Sequence, residues 1–249
     1  MIDFHSHVLP HIDDGAKETA ISIQMLEESK RQGVTTVICT PHYYGKKRSP
    51  QHFIEKRDAC YRQLLPSIPD GMELRLGAEV YFSEDSVVSN HELSLLALEN
   101  TRYVMLELPF TPKFSPRLFE RIEEFIRETD SIPLIAHVDR YPAVLKKPSI
   151  VTRLIEMGCL IQINAEAFVT PRIKNLAKAL FEKGMVHAVG SDMHNMAERK
   201  PNMAQFLAYL NSQPKHLQEA LENSEAAILN GETVNAVGKP IRRVFGKYF

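Results

Sequence analysis

Cysteine is scarce in this chain of 249 residues: there are three, Cys39, Cys60 and Cys159. An odd number at such wide spacing gives no disulfide framework and reads as reduced thiols, which points to the cytoplasm. Long apolar runs are absent, and no stretch approaches the roughly 20 apolar residues that cross a bilayer. Met1 leads straight into a polar segment, with no apolar core of a secretory signal behind it. The chain lacks an excess of charge of either sign; its net charge is −1, so no overall basic field draws it to nucleic acid. No glycine-rich loop ends in Lys-Ser or Lys-Thr, which removes the P-loop class of nucleotide hydrolases. Neither a Gly/Ser-rich linker nor an internal repeat divides the chain. One domain over residues 1–249 is therefore expected.

What is there is an ordinary globular composition, 44% hydrophobic and 24% charged, able to bury a full core. Seven short runs rich in β-branched residues recur, at 2–5, 34–40, 73–79, 103–108, 132–138, 159–164 and 186–191. Near-continuous apolar runs of this length fit strands buried on both faces. Helical patterns separate most of them, at 19–32, 53–65, 116–128, 149–157 and 171–183, with a final pair at 201–210 and 214–222. Pro116 opens one helix and Gly158 and Gly184 stop two others. Strand–helix alternation predicts an α/β fold with a parallel sheet. Seven such units predict a barrel or near-barrel rather than an open sheet. The tail at 241–249 (IRRVFGKYF) is basic and aromatic and is expected to pack back on the body or on another subunit.

The opening MIDFHSHVLPHIDDG holds three histidines and three aspartates, with His5 and His7 at metal-ligand spacing. The same kind of residue ends the other runs. The second leads into Thr40-Pro41-His42, the third ends in Glu79, the fourth holds Glu107, the fifth His137 and the sixth Asn164. The seventh is followed by Asp192 and His194. In a parallel barrel the C-terminal strand ends open onto one face, where chemistry concentrates. That arrangement would gather His5, His7, Asp14, His42, Glu79, Glu107, His137, Asp192 and His194 at one mouth. Four carboxylates packed together without counter-charge would cost several kcal/mol each. Divalent cations remove that cost, and imidazole with carboxylate suits Zn, Mn or Fe. Nine ligands exceed one tetrahedral ion, so two or three ions are expected.

Each residue alone has a plainer reading, as a hydrogen-bonded histidine, a helix cap or a salt-bridge partner. It is the repeated placement at strand ends that favours a multi-metal site. The other histidines keep the plain reading: His11 at the rim, His52 and His216 on exposed helices, and His187 at the opposite end of its strand. His91-Glu92 is followed by Leu95 where a zinc-protease helix needs its second histidine.

The motifs IDFHSH, DDG, TPH, GAE, LEL, AHVDRY and GSDMHN resemble those of the polymerase-and-histidinol-phosphatase (PHP) family. More narrowly they resemble the manganese-dependent protein-tyrosine phosphatases encoded beside capsule and exopolysaccharide genes in Gram-positive bacteria. The likeness runs from Met1 to about Pro201 and rests on order and spacing. It implies a distorted (β/α)7 TIM-like barrel with a trinuclear site, filled by Mn²⁺ with Fe, Zn, Co or Mg as substitutes. By motif matching, His5, His7, Glu79 and Asp192 would hold one ion. Glu79 would bridge to a second on Glu107 and His137, and Asp14, His42 and His194 would hold the third. Glu107 departs from members that carry histidine there, which would make the site harder and favour Mn²⁺.

Such a centre suits phosphate-ester hydrolysis, with a metal-activated hydroxide attacking phosphorus. Arg140 and Arg199 stand beside ligand motifs, and the resemblance implies that they bind the phosphate. A thiolate mechanism is excluded, because the positions six after Cys39, Cys60 and Cys159 are Gly45, Pro66 and Ala165, not arginine. Lys46, Lys47 and Arg48 follow His42 and either line the mouth or form a solvated loop. The resemblance implies the tyrosine-phosphorylated tail of a bacterial kinase as substrate. The rivals are a histidinol-phosphate phosphatase on the same fold, an amidohydrolase, a PHP exonuclease and a non-catalytic metal-binding interaction module.

Overall fold

The structure is a computed structural model and describes residues 1–244, 247 and 248. The strands in chain order are β1 (Ile2–Ser6), β2 (Thr36–Cys39), β3 (His42–Tyr43), β4 (Glu73–Leu76), β5 (Glu79–Tyr81), β6 (Tyr103–Glu107), β7 (Ile132–Ile135), β8 (Leu160–Asn164) and β9 (Ala188–Gly190). A short hairpin, β10 (Arg243–Val244) and β11 (Lys247–Tyr248), lies in the tail. The helices are α1 (Thr19–Arg31), α2 (Pro50–Leu64), α3 (Asn90–Ser94), α4 (Pro116–Thr129), α5 (Pro142–Lys146), α6 (Ser149–Glu156), α7 (Lys174–Glu182), α8 (Met203–Asn211) and α9 (Lys215–Leu229).

Pairing from β1 through β9 is parallel throughout, in two sheets ordered β1-β2-β4 and β3-β5-β6-β7-β8-β9. The second expected run, 34–40, is followed by a further short strand beyond its end, and the third, 73–79, is interrupted before Glu79. Pro41 has no N–H to give a ladder, and it separates β2 from β3. Gly77 and Ala78 separate β4 from β5; Gly77 is pressed against Leu98, which an added Cβ would strike. Among the described residues these pieces make seven staves of a distorted, TIM-like barrel, as the strand count implies.

The last stave returns to the first. His7 N donates to the Met193 carbonyl and Asp192 N to the His5 carbonyl, at 2.9 and 2.8 Å. Gly190 is required at this seam, because a Cβ there would lie 2.5 Å from the Cβ of His5.

Two apolar layers hold the barrel. The lumen is filled by Phe4, Ile38, Tyr103, Met105, Leu134, Leu160 and Ala188, with Ile228 of α9 closing the end opposite the strand C-termini. The outer layer packs the helices on the strands, and α4 shows how its sequence does this. Ser115 caps its N-terminus by accepting from Leu118 N, Pro116 takes the first turn, and Leu118, Phe119, Ile122 and Phe125 face inward.

Helix ends differ from the sequence reading by a few residues, and α9 runs seven residues past the expected 222, to Leu229. The short helices α3 and α5 were not legible; each is five residues long, too short to show a period. The tail packs back on the body. Ile241 is buried, Tyr248 rests against the core, and Thr152 Oγ1 donates to the Lys239 carbonyl at 2.7 Å. Phe245, Gly246 and Phe249 of that tail lie outside the described residues. No described helix is long and apolar enough to cross a membrane.

Candidate metal centre

The nine residues expected at the strand ends converge at one mouth. His5 lies in β1 and His7 just after it; His42 opens β3, Glu79 opens β5, and Glu107 closes β6. Register sets His42 directly beside Glu79 and Tyr81 beside Glu107. His137, Asp192 and His194 follow β7 and β9. Asp14 comes from the turn after β1, which folds back so tightly that a Cβ on Gly15 would overlap the His7 carbonyl.

Ligand atoms within 4.8 Å of one another form four overlapping groups: His7, Asp14, His42, His194; His5, Glu79, His137; His5, His7, Asp192; and His42, Glu79, Glu107. Glu107 lies 3.6 Å from His137 Nε2 and 4.0 Å from His42 Nδ1, so it faces both the residue that motif matching gives it and another. His5, His7, Glu79 and His137 are essentially without solvent contact. His11, His52, His91 and His216 are exposed and apart from this cluster. His187 is buried at the other end of its strand, where its Nδ1 accepts from Ile161 N at 3.0 Å.

The fit of cations can be tested on proton positions. Gln162 Oε1 accepts from His137 N at 2.6 Å, so it is the carbonyl oxygen that faces His5 Nδ1 at 3.2 Å. The His5 ring therefore donates from Nδ1 and keeps a lone pair on Nε2. His7 Nδ1 donates to Asp13 Oδ2 at 2.7 Å, and His194 Nδ1 donates to the Asp192 carbonyl at 2.9 Å. All three rings thus present Nε2 to the interior. His5 Nε2 and His7 Nε2 stand only 3.1 Å apart, and each is 3.3 Å from Glu79 Oε2. Lone pairs facing one another and a carboxylate repel unless a positive charge lies among them. Asp192 Oδ1 and His194 Nε2 are buried with no hydrogen-bond partner among the described residues, and Glu79 Oε2 has only the His42 Nδ1 atom, 2.8 Å away, close to it besides the two Nε2 atoms. The donor set fits divalent cations.

The electrostatics agree. Burial alone would push the Glu79 carboxyl up, but the imidazoles of His5, His137 and His42 hold it well below its usual range. Burial and the nearby Glu79 charge push Glu107 up to about 7. Burial opposes charge on His7, yet Asp13, Asp192 and Glu79 together outweigh it and raise that imidazole well above its ordinary value. Burial, with His7 adding to it, drives His194 down to about 2. Left to protons alone, the cluster draws added positive charge onto His5 and His7, a charge that a bound cation would supply instead.

Backbone strain sits here as well. His137 and Asp192 have φ of 31° and 54°, a left-handed region that side chains with a Cβ seldom adopt. Arg140 and Arg199 both reach Asp192 Oδ2, at 2.8 and 2.6 Å. Asn164 Nδ2 donates to the same oxygen at 3.1 Å. The two arginines, Asn164 and Asp192 line a cavity of about 190 Å³ beside the cage. Lys47 and Arg48 line another opening with Asp14 and His42, so that basic segment does border the mouth. The three cysteines are buried and free, and burial pushes the Cys39 and Cys159 thiols up, away from thiolate chemistry.

Sequence reasoning missed Asp13 and Gln162, whose oxygens face His7 Nδ1 and His5 Nδ1 and fix the tautomers of those rings. The DDG turn offered a signal for Asp13, since one carboxylate of the pair has to face inward. Gln162 had none beyond its position two before Asn164, on the same face of β8.

Residues 1–229 match the family model for capsular polysaccharide synthesis, CpsB/CapC. The chain belongs to the CpsB/CapC family of metal-dependent tyrosine phosphatases. Tyrosine-protein phosphatase CpsB of Streptococcus pneumoniae is 33% identical over 214 residues, covering 82% of this chain and 87% of that protein. Tyrosine-protein phosphatase YwqE of Bacillus subtilis is 31% identical over 257 residues, covering 98% and 97%. A crystal structure from work on YwqE from Bacillus subtilis and CpsB from Streptococcus pneumoniae, described as unique metal-dependent tyrosine phosphatases, has a TM-score of 0.81 at 29% identity. It covers 98% of this chain and 100% of that one.

Proposed function

We propose that this CpsB/CapC phosphatase removes phosphate from the tyrosine-phosphorylated tail of a bacterial kinase that controls capsular or exopolysaccharide synthesis. It does so in the cytoplasm, as one domain over residues 1–249, with Mn²⁺ as the working ion. His5, His7, Asp14, His42, Glu79, Glu107, His137, Asp192 and His194 hold the cations. Cations held by these residues would supply a water of lowered pKa as nucleophile and positive charge for the phosphoryl oxygens.

The observation that carries this reading is the division of labour at Asp192. Its Oδ1, unpartnered, faces the cage, while Oδ2 anchors Arg140 and Arg199. Each guanidinium keeps further N–H groups for the adjoining cavity. A phosphate placed there meets planar donors on one side and the cage on the other, so charge on its equatorial oxygens is stabilised. Gln162 and Asp13 keep His5 and His7 in the tautomer that turns Nε2 inward.

The test is metal analysis together with hydrolysis of p-nitrophenyl phosphate, before and after chelation and manganese re-addition. Activity is expected to vanish with the metal and return with it; activity that survives exhaustive chelation contradicts the mechanism. A phosphotyrosyl peptide is expected to turn over faster than histidinol phosphate. The reverse order would assign the chain to the histidinol-phosphate reading, and inertness towards every aryl phosphate would favour a non-catalytic module.

A further inference from the structure

One aromatic side chain at the mouth has no part in the chemistry above. Phe110 follows β6 and is 45% exposed, although it is a large apolar residue in a well-packed protein. Its ring lies 5.6 Å from that of His137, and the Arg140 guanidinium carbon lies 5.3 Å from its centroid. The same side chain therefore touches a residue of the cage and an arginine of the phosphate cavity.

Its seat is firm. Tyr141 is fully buried, its ring is 5.2 Å from that of Phe110, and its hydroxyl oxygen accepts from Leu108 N at 2.8 Å. Phe114 packs on the far side of Tyr141 at 5.6 Å. The loop is thus pinned two residues before Phe110, and the ring is held up towards solvent rather than drawn into the core.

We propose that Phe110 is a specificity-determining residue that receives the aromatic ring of the phosphate ester. This rests on the phosphatase reading and adds why an aryl ester is selected. In an ester gripped by Arg140, the atoms just beyond the ester oxygen run alongside whatever packs on that arginine, and Phe110 is that neighbour. A tyrosyl ester presents a flat ring, which can lie offset or edge-on to Phe110 at the usual 4.5–7 Å between centroids. A seryl or threonyl ester presents a tetrahedral carbon and then peptide backbone, and gains nothing from that surface. Space for the rest of a peptide adjoins it. Pro109 and Thr111, the neighbours of Phe110, line a cavity of about 440 Å³ together with Tyr44, Tyr81 and Val88.

The experiment measures the affinity of the manganese-loaded full chain for phenylphosphonate and for methylphosphonate by calorimetry. Neither probe is hydrolysed, so binding is read apart from turnover. The wild type is expected to favour the phenyl compound by about three- to tenfold, the range of an aromatic pair. Phe110→Ala should abolish that preference while leaving methylphosphonate affinity unchanged, which also shows that the site is still folded. Phe110→Tyr should keep it. In parallel, Phe110→Ala should lower kcat/KM for a phosphotyrosyl peptide relative to a phosphoseryl peptide, chiefly through KM. Equal binding of the two probes by the wild type, binding of neither, or a Phe110→Ala variant that weakens both alike would overturn the proposal. A wild type that prefers phenylphosphonate but turns over histidinol phosphate faster would defeat the phosphotyrosine reading and leave the aromatic seat standing.

Discussion

Arg140 Nη1 donates to Asp192 Oδ2 at 2.8 Å, while the other oxygen of Asp192 faces His5 and His7 at 3.6 and 3.4 Å. One carboxylate thus ties the two arginines to the histidines of the cage. Arg140→Lys keeps the charge and loses the planar fork. It is expected to lower kcat by about 10²-fold, the scale of one lost transition-state donor. Bound manganese should stay at the wild-type level by elemental analysis. Asp192→Asn should lower both turnover and metal content.

Asp13 makes a second, separable prediction. It accepts from His7 Nδ1 at 2.7 Å and from His42 N at 2.9 Å, and so orients the His7 ring. Removing such a partner typically costs about 10–100-fold in metal affinity. Asp13→Ala should show that loss in a chelator competition. Affinity equal to the wild type would mean that the His7 ring holds its orientation without Asp13.

Gly190→Ala probes the seam. The added methyl would meet the Cβ and backbone nitrogen of His5 at 2.5 and 2.6 Å, so β1 and β9 must part. Overpacking of this kind costs about 1–3 kcal/mol. The thermal midpoint is expected to fall, and metal stoichiometry with it, because His5 shifts. A variant with unchanged midpoint and unchanged stoichiometry would show that the seam opens freely.

The barrel and the cage were legible because their signals repeat. Seven apolar runs and seven strand-end residues of one chemical kind support each other, and a single misjudged member would not have changed the outcome. What escaped was set by tertiary contact. The two-residue strand β3 begins only after Pro41, beyond the apolar run at 34–40, and Gly77 interrupts the run at 73–79 from within. Gln162 looks like any strand glutamine until His137 N and His5 Nδ1 meet its oxygen. Phe110 carried no signal, because nothing in PFTP says which side chains will surround it.

Glu225 predicts a pH dependence of stability. It is buried on α9, its Oε1 accepts from Val189 N at 3.2 Å, and burial pushes its carboxyl up to about 8 from the ordinary 4.5. The folded chain therefore keeps a proton that the unfolded chain releases as pH rises from 4.5 to 8. With fewer protons on the unfolded chain, the contribution of this group to stability falls as pH climbs through that window, by a few kcal/mol in order of magnitude. His187, which burial drives down to about 4 from 6.5, works the opposite way at lower pH, so the comparison belongs above 6.5. Denaturant unfolding should show Glu225→Gln gaining on the wild type between pH 6.5 and 8. Parallel curves would place the Glu225 proton elsewhere.

The seam between β1 and β9 also sets an order of events during synthesis. His5 and His7 leave the ribosome before Asp192 and His194, which lie more than 180 residues further along the chain. A nascent polypeptide carries half a chelate and no partner for it. A cation shared by these residues would be held in full only once the final stave has closed on the first, and would then link the two ends of the barrel.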